Sequence, residues 1–302
     1  MSTSPSGEQF EIAAGDQRAV VVEVGGGLRS YSAGGREVLD GYGDDEMCTS
    51  GRGQVLAPWP NRLDDGSYEF AGTRHQLPLT EPEHGNAIHG LVRWAPWTAA
   101  EGEPHRVVMT HVLHPAPGYP YRLELRIVYE LTEDGLSVAT SATNPGPRAC
   151  PYGTGAHPYL TVGTETVDAV ILRAPARTVL EADDRGIPVG RASVAGTEYD
   201  FREPRPIGAT RLDHAFTDLD RDGDGLARVR LVDPGTDTEL VLWVDESYRY
   251  LMLFTGDPLA DVNRRSLAVE PMTCPPNAFR SGEEVVVLEP GETFTSTWGL
   301  RP

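Results

Sequence analysis

Residues 122–144, RLELRIVYELTEDGLSVATSATN, constrain the fold more than any other part of the chain. From residue 123 to residue 129 apolar side chains alternate with mainly polar ones, which is the two-residue period of a half-buried strand. The turn-forming residues 132–135 then lead into a second alternating run. The segment is therefore predicted to be a β-hairpin.

The same pattern returns along the chain, in residues 18–35 and again in residues 226–244, where Asp-Pro-Gly separates two apolar runs. No long amphipathic helix is evident, and the 33 glycines and 25 prolines are spread as turn formers. No repeat, low-complexity tract or break in composition marks a boundary. We expect one domain over residues 1–302, with a flexible N-terminus over about residues 1–9. Its predicted fold class is all-β, a large antiparallel β-sandwich.

The composition limits the classes of binding partner that we expect for this protein. Acidic residues outnumber basic ones 45 to 26, which gives a net charge of -19 and disfavours binding to nucleic acid or anionic lipid. No apolar run approaches the ~18 residues of a membrane span, and the N-terminus lacks the pattern of a signal peptide. Three scattered cysteines fit neither a disulfide framework nor a CxxC zinc site. A soluble, cytoplasmic protein is expected.

Residues 54–97 place planar hydrogen-bonding side chains among tryptophans and turn formers. Aromatic rings flanked by such groups suit sugars, which present apolar C–H faces and a ring of hydroxyls. The candidates for sugar binding are Asn61, Arg62, Asn86, His89 and Arg93. The alternative for each is structural: the tryptophans belong to the core and Asp-Asp-Gly is a hairpin turn.

Two further stretches offer an acid and a base. His157 in GTGAHPYL has the side chain best suited to proton transfer near neutrality, although a lone histidine is more often structural. Glu270 follows the apolar residues 267–269, which look like the end of a buried strand, and precedes Pro271. Proline restricts the preceding residue to extended backbone, and apolar walls would raise the carboxyl pKa. The alternative for Glu270 is a salt-bridged loop residue.

Three weaker signals remain. Asp213 in RLDHAFTDL could accept hydrogen bonds from ligand hydroxyls or simply cap a turn. DRDGDG at residues 220–225 opens like an EF-hand, but Leu231 stands where the bidentate glutamate belongs, so a solvated acidic hairpin loop is predicted. His111 and His114 have helical metal spacing in an extended neighbourhood, so no metal site is predicted there.

Taken in order, APWPNRLDDGSYEFAG, NAIHGLVRW, GTGAHPYL, LDHAFTDL and AVEPMTCPPNAF resemble the aldose 1-epimerase (galactose mutarotase) family from about residue 10 to the C-terminus. NAIHGL and EPMTCP are most similar to the branch that includes bacterial sulfoquinovose mutarotases. The resemblance implies a supersandwich of the galactose mutarotase type. It also implies interconversion of the α and β anomers of a free aldose, with no metal or organic cofactor.

By motif, the resemblance makes His157 the general acid and Glu270 the general base. It places His89, Arg62 and Asp213 in contact with the sugar. Glu270 would take the proton of the anomeric hydroxyl while His157 protonates the ring oxygen, and reclosure would reverse both transfers. We expect the charge of Glu270 to support a protonated His157 in the resting enzyme. Arg62, Arg93 and Arg122 make an anionic substituent on the sugar conceivable.

Two rival functions use the same residues. His89, His157 and Glu270 could form a two-histidine, one-carboxylate metal site, although the three lie far apart in the sequence. Alternatively, the chain could be a non-catalytic sugar-binding module of the same fold. The oligomeric state is left open.

Overall fold

The computed structural model describes residues 4–260 and 262–302, and its regular structure is almost entirely β. The strands in chain order are β1 (Gln9–Ala14), β2 (Gln17–Val22), β3 (Leu28–Ala33), β4 (Arg36–Glu37), β5 (Val55–Leu56), β6 (Arg62–Asp64), β7 (Ser67–Phe70), β8 (Thr73–Gln76), β9 (Asn86–Ile88), β10 (Thr98–Glu103), β11 (Arg106–Leu113), β12 (Leu123–Thr132), β13 (Gly135–Thr143), β14 (Cys150–Tyr152), β15 (Gly155–Ala156), β16 (Tyr159–Leu160), β17 (Ile171–Arg173), β18 (Ala176–Ala182), β19 (Pro188–Ser193), β20 (Arg205–Pro206), β21 (Asp213–Leu219), β22 (Ala227–Asp233), β23 (Thr238–Val244), β24 (Tyr250–Phe254), β25 (Leu267–Met272), β26 (Val286–Leu288) and β27 (Thr293–Arg301). A 3₁₀ turn (Val167–Ala169) and one short helix, α1 (Ala278–Ser281), complete the described elements.

Two large antiparallel sheets form a β-sandwich, as the sequence predicted. One sheet has nine strands in the order β10-β11-β12-β13-β27-β23-β22-β17-β20. The other has eight, in the order β19-β18-β21-β24-β25-β15-β5, with β16 also paired to β25. A four-stranded sheet, β1-β2-β3-β4, packs against β11 and β12. Three two-stranded ladders, β6-β9, β7-β8 and β14-β26, lie outside these sheets.

The alternating segments fold as predicted. β12 and β13 pair as a hairpin that closes at Thr132 opposite Gly135, and the apolar side chains of β12 are buried at every second position. β22 and β23 form the second hairpin, closed at Asp233 opposite Thr238. The alternation was informative because a hairpin needs only local register, which a two-residue period specifies.

The eight-stranded sheet turns one face to the core and the other to a set of polar side chains. On β25, Leu267 and Val269 belong to the main hydrophobic cluster, as do Leu251 and Leu253 of β24. Residues one position along each strand point the opposite way. The register Met252 opposite Glu270 therefore puts Glu270 on the outer face. The strand pairs Tyr159–Ala268, Phe254–Ala268 and Asp213–Phe254 add Tyr159, Phe254 and Asp213 to that face.

The sequence reading of residues 267–271 needs a correction, because β25 continues through Glu270 and Pro271 to Met272. On one side of β25 the backbone N–H groups of Val269 and Thr273 donate to Pro158 (3.2 Å) and Thr154 (2.9 Å). Pro271 lies midway between them on the same side. At that position the neighbouring segment is interrupted between β15 and β16. The lack of an N–H group on Pro271 therefore breaks no continuous ladder of backbone hydrogen bonds.

The acidic loop at residues 220–225 also differs from the prediction. It joins β21 to β22, which lie in different sheets, so it is a connection between sheets rather than a hairpin. Arg228 forms ion pairs with the carboxylates of Asp222 and Asp224. The third carboxylate that suggested an EF-hand, Asp220, pairs with Arg177 (2.7 Å), so all three acidic side chains have basic partners. His111 lies in β11, so its extended neighbourhood is confirmed.

The remaining expectations concern the termini and the cysteines. Residues 1–3 of the predicted flexible segment lie outside the described residues; Gly7 N–H donates to Ser4 O (3.0 Å) just before β1. In the described part of the chain no helix is long and apolar enough to cross a membrane. Cys48, Cys150 and Cys274 are buried free thiols.

Candidate active site

A cavity of ≈ 450 Å³ lies on the outer face of the eight-stranded sheet. β16, β21, β24 and β25 supply its floor, and the segments around residues 50–62, 80–94 and 258–259 supply its walls. Its lining combines polar groups with a few apolar ones: Ser50, Gly51, Asn61, Arg62, Thr80, Glu81, Glu83, Ile88, His89, Arg93, Trp94, His157, Tyr159, Asp213, Met252, Phe254, Pro258, Leu259 and Glu270. The size of this cavity and its mixed lining are typical of clefts that bind small molecules.

His157 and Glu270 face each other at the bottom of this cavity. His157 Nε2 lies 3.3 Å from Glu270 Oε1, and the two residues are 5% and 2% exposed. The strand order explains the contact, because β15 and β16 both pair with β25 and His157 stands between them. Glu270 Oε2 and His157 Nδ1 have no hydrogen-bond partner among the described residues. Buried groups left in this way need a functional or solvent explanation.

The imidazole of His157 is held on several sides. Its backbone N–H donates to Gln54 O (3.1 Å), and its carbonyl accepts from Gly53 N–H (2.9 Å). The ring stacks on Tyr159, with centroids 5.0 Å apart and planes 11° apart, and meets His89 edge-on at 5.3 Å. A Cβ at Gly51 would come within 2.8 Å of His157 Cδ2. The ring therefore has little room to move.

Burial shifts the pKa values of His157 and Glu270 in opposite directions. Burial, together with the charges of Arg93 and Arg52, lowers the pKa of His157 to about 3. Burial raises the pKa of Glu270 well above its usual value; the Asp213 charge adds to this effect and Arg62 opposes it. The expectation of a resting imidazolium supported by an ionised Glu270 is therefore wrong, because loss of solvent disfavours both charged forms. Burial thus favours a protonated carboxyl group on Glu270 and a neutral imidazole on His157 in the unliganded pair.

His89 presents a hydrogen-bond donor to the cavity. Its Nδ1 accepts a hydrogen bond from the backbone N–H of Asn61 (3.2 Å), and the backbone N–H of His89 donates to Asn61 O (2.9 Å). A neutral imidazole has one N–H, so the proton is on Nε2. Burial lowers the pKa of His89 well below its usual value, which keeps this tautomer neutral. Both residues have left-handed backbone, with φ of 62° and 55°, a strain often found at functional sites.

Arg62 is fixed by a carboxylate that sequence analysis missed. Its Nε and one terminal nitrogen donate to the two oxygens of Glu81, at 2.9 and 3.0 Å. The amide of Asn86 donates to Glu81 Oε2 (2.9 Å) and to Arg185 O (2.9 Å). Asn86 is fully buried and is not part of the cavity lining. The structure thus brings Asn61, Arg62, His89 and Asp213 to the cavity and places Asn86 behind its wall.

The tryptophans and arginines divide between core and cavity. Trp59 and Trp97 are buried core residues, whereas Trp94 is 52% exposed at the cavity. Arg122 is exposed and pairs with Glu124 (2.9 Å). Arg93 lines the cavity, and burial lowers its pKa. No hydrogen bond or ion pair joins its guanidinium to another of the described residues.

The two histidines and Glu270 also bear on the metal alternative. One ligand atom from each of His89, His157 and Glu270 lies within 4.8 Å of the others, so the fold does bring the three together. The tautomer of His89 opposes coordination, however. Its lone pair on Nδ1 is occupied by the Asn61 N–H, and its Nε2 carries the proton. A metal ligand needs the reverse arrangement, with the second nitrogen donating to an acceptor.

Known proteins resemble this chain in sequence and in fold. The sequence model of the aldose 1-epimerase family matches residues 8–301. The chain is 36% identical to the uncharacterized protein YihR of Escherichia coli, over 98% of this chain and 94% of the relative. It is 27% identical to the aldose 1-epimerase of E. coli, over 81% and 78% of the two chains. The solved structure of the GalM/aldose epimerase homologue from C. elegans superposes with a TM-score of 0.86 at 18% identity, covering 97% of this chain and 98% of that one. The chain belongs to the aldose 1-epimerase family.

Proposed function

We propose that this protein interconverts the α and β anomers of a free aldose by acid–base ring opening and reclosure. The observation that carries the proposal is the buried contact of His157 with Glu270, 3.3 Å apart at the bottom of a polar cavity. Both oxygens that exchange protons in mutarotation, the anomeric O1 and the ring oxygen, are bonded to C1. A single acid–base pair at hydrogen-bond distance can therefore serve both.

The proton count of the pair matches the reaction. The carboxyl proton of Glu270 first passes to His157 across their 3.3 Å contact. In ring opening the ionised Glu270 then accepts the O1 proton as the C1–ring-oxygen bond breaks, and His157 donates its added proton to the departing ring oxygen. The pair then holds a protonated carboxyl and a neutral imidazole, the distribution that burial favours in the unliganded site. Rotation about C1–C2 and reclosure return each proton, so no net proton enters or leaves. Each positioned acid or base typically contributes about 10²–10⁴-fold.

The surrounding groups are proposed to hold the sugar. His89 Nε2–H and the Arg62 guanidinium are donors for sugar oxygens, and the Asp213 carboxylate is an acceptor for hydroxyls. Asn61 adds its side-chain amide. Asn86 acts through Glu81, which fixes Arg62.

The sugar is proposed to carry an anionic substituent. Arg62 is neutralised by Glu81, but the partly buried Arg93 faces the same cavity with no ion-pair partner in the described part of the chain, and withdrawing an unpaired cation from water is costly. The motifs NAIHGL and EPMTCP, which resemble those of sulfoquinovose mutarotases, point the same way. Exchange NMR on glucose, galactose, glucose 6-phosphate and sulfoquinovose should show the fastest anomer exchange with one of the two anions. Arg93→Gln should raise the KM for that anion but not for a neutral aldose; equal activity on neutral and anionic sugars would contradict this part of the proposal.

The activity itself is tested by polarimetry or exchange NMR with freshly dissolved α-aldoses, where the enzyme should shorten the time to anomeric equilibrium. A non-catalytic sugar-binding module would bind one of these sugars in calorimetry without changing that time. Elemental analysis of the purified protein distinguishes acid–base catalysis from the alternative of a metal site. Stoichiometric iron bound to active protein would overturn the acid–base assignment.

A further inference from the structure

Behind His157 lies a buried cation that does not reach the cavity. Arg52 is 4% exposed, and its guanidinium carbon lies 4.5 Å from the centroid of the Tyr159 ring. The same ring stacks on His157. Arg52 is absent from the residues that line the cavity, so a bound sugar would not touch it.

The guanidinium of Arg52 is poorly satisfied. Its Nε and Nη2 have no hydrogen-bond partner among residues 4–260 and 262–302, and Nη1 makes only long bonds to Thr49. Its nearest carboxylate oxygen, Asp40 Oδ2, lies 3.6 Å from Nη2. That carboxylate already accepts two hydrogen bonds from Arg265 and one from Ser266. Asp40 therefore offsets the charge of Arg52 only in part.

A side chain that served only to pack against Tyr159 would not need this charge. Burying a cation without full pairing costs free energy that an apolar side chain of similar size would avoid. Unsatisfied buried polar groups are rare in folded proteins and call for an explanation.

We propose that Arg52 is a positioning residue that strengthens His157 as an acid, with Tyr159 as the intervening ring and Asp40 as its counter-charge. The proposal rests on the proposed function, since it concerns the proton that His157 gives to the ring oxygen. A nearby cation disfavours the imidazolium form and so favours proton release. The lowered pKa of His157 has this direction, with Arg52 among its causes after burial and Arg93.

Arg52 acts among several other groups, which the test must hold constant. The titratable or charged groups around the pair are Glu270 on β25, Tyr159 on β16, His89 and Arg93 beyond β9, and Arg62 and Asp213, which act on Glu270. None of these side chains changes when Arg52 or Asp40 is substituted. The loop of Arg52 also bonds to the His157 backbone through Gly53 and Gln54, so a substitution there could simply loosen the loop.

Three variants separate charge from packing. Arg52→Gln removes the cation, Arg52→Lys keeps it, and Asp40→Asn removes the counter-charge. The active pair must carry one proton, so activity falls on both the acid and the alkaline side. In Arg52→Gln the whole pH–rate profile should move to higher pH by about 0.5–1 unit, a shift expected from loss of one nearby charge. Asp40→Asn should move it to lower pH, and Arg52→Lys should leave it near the wild-type position.

A loosened loop would lower the rate without shifting the two charge variants in opposite directions. Unshifted profiles in folded Arg52→Gln and Asp40→Asn proteins, or shifts of the same sign, would overturn the proposal. If Arg52→Gln fails to fold, the downward shift in Asp40→Asn decides the question. The His157 signals of ¹³C-histidine-labelled protein, assigned by their absence in His157→Asn, provide a second readout. They report the titration of His157 even if the wild-type protein proves not to be an epimerase, so the two proposals fail separately.

Discussion

The backbone N–H of Val269 donates to the carbonyl oxygen of Pro158 at 3.2 Å, and these two residues directly adjoin Glu270 and His157. This backbone hydrogen bond helps to tie β25, which carries the proposed base, to the segment between β15 and β16, which carries the proposed acid. The distance between the two reacting groups is set by the sheet rather than by a mobile loop. Such pre-organisation lowers the cost of bringing catalytic groups into position.

The acid–base pair is expected to carry most of the rate enhancement. Glu270→Gln and His157→Asn should each reduce the enzymatic rate of anomer exchange by about 10²–10⁴-fold, the usual contribution of one positioned acid or base. Exchange NMR at a fixed sugar concentration measures the loss. The matched controls are Glu124→Gln, at an exposed glutamate paired with Arg122, and His105→Asn, at a half-exposed histidine in the turn between β10 and β11. Both should keep wild-type activity. Full activity in either folded cavity variant would refute the assigned roles.

Glu270 should also destabilise the folded protein at neutral pH. Burial raises its folded-state pKa well above the ordinary 4.5, so above pH 4.5 the unfolded chain releases this proton while the folded chain retains it. The stability of the folded form then falls as pH rises toward the folded-state pKa. Glu270→Gln removes this loss, so its free energy of unfolding should exceed that of the wild type at pH 7 and match it more closely near pH 4. Urea unfolding at both pH values tests the difference; a variant less stable at pH 7 than at pH 4, relative to wild type, would contradict it.

Prediction from the sequence succeeded where the structure depends on neighbouring residues. The hairpin of β12 and β13 follows from alternation and one turn. The extent of β25 was missed because Pro271 looks like a strand breaker, and its tolerance depends on a gap between β15 and β16 that no local pattern reveals. Likewise Arg93 and Arg122 were equal candidates, yet one lines the cavity and the other pairs with Glu124 on the surface.

Residues that hold other site residues in place were also beyond prediction from the sequence. Asn86 was predicted to touch the sugar, but its amide donates to Glu81, which holds Arg62. Glu81 gave no signal of its own, because a glutamate two positions from a second one, Glu83, in a turn-forming segment has the sequence pattern of an ordinary exposed residue. Arg52 gave none either, since its position under Tyr159 depends on residues more than a hundred positions apart. Side chains that act through other side chains are visible only once the fold is known.

The fit of His157 against Gly51 provides a test of positioning. A Cβ at Gly51 would lie 2.8 Å from His157 Cδ2, and this glycine has φ +74°; Gly72 has the same φ with nothing within 4 Å of its Cβ position. Gly51→Ala should lower kcat by about tenfold to a hundredfold, because small displacements of a reacting group are costly. Gly72→Ala carries the same backbone strain, about 1–2 kcal/mol, and should leave kcat unchanged. Equal kcat values for the two variants would show that the ring of His157 has more freedom than the structure indicates.

A parallel pair of glycines tests the proposed sugar contact of Arg62. A Cβ at Gly186, with φ +74°, would lie 2.5 Å from Arg62 Nη1, whereas Gly196, with φ +75°, has nothing within 4 Å. In Gly186→Ala the guanidinium must shift away from its place beside Glu81, so the KM for the sugar should rise several-fold while kcat changes little. Gly196→Ala should lose a similar amount of stability and keep the wild-type KM. Comparing KM and the free energy of unfolding in both variants separates displacement of Arg62 from backbone strain, and an unchanged KM in folded Gly186→Ala would remove Arg62 from the proposed sugar contacts.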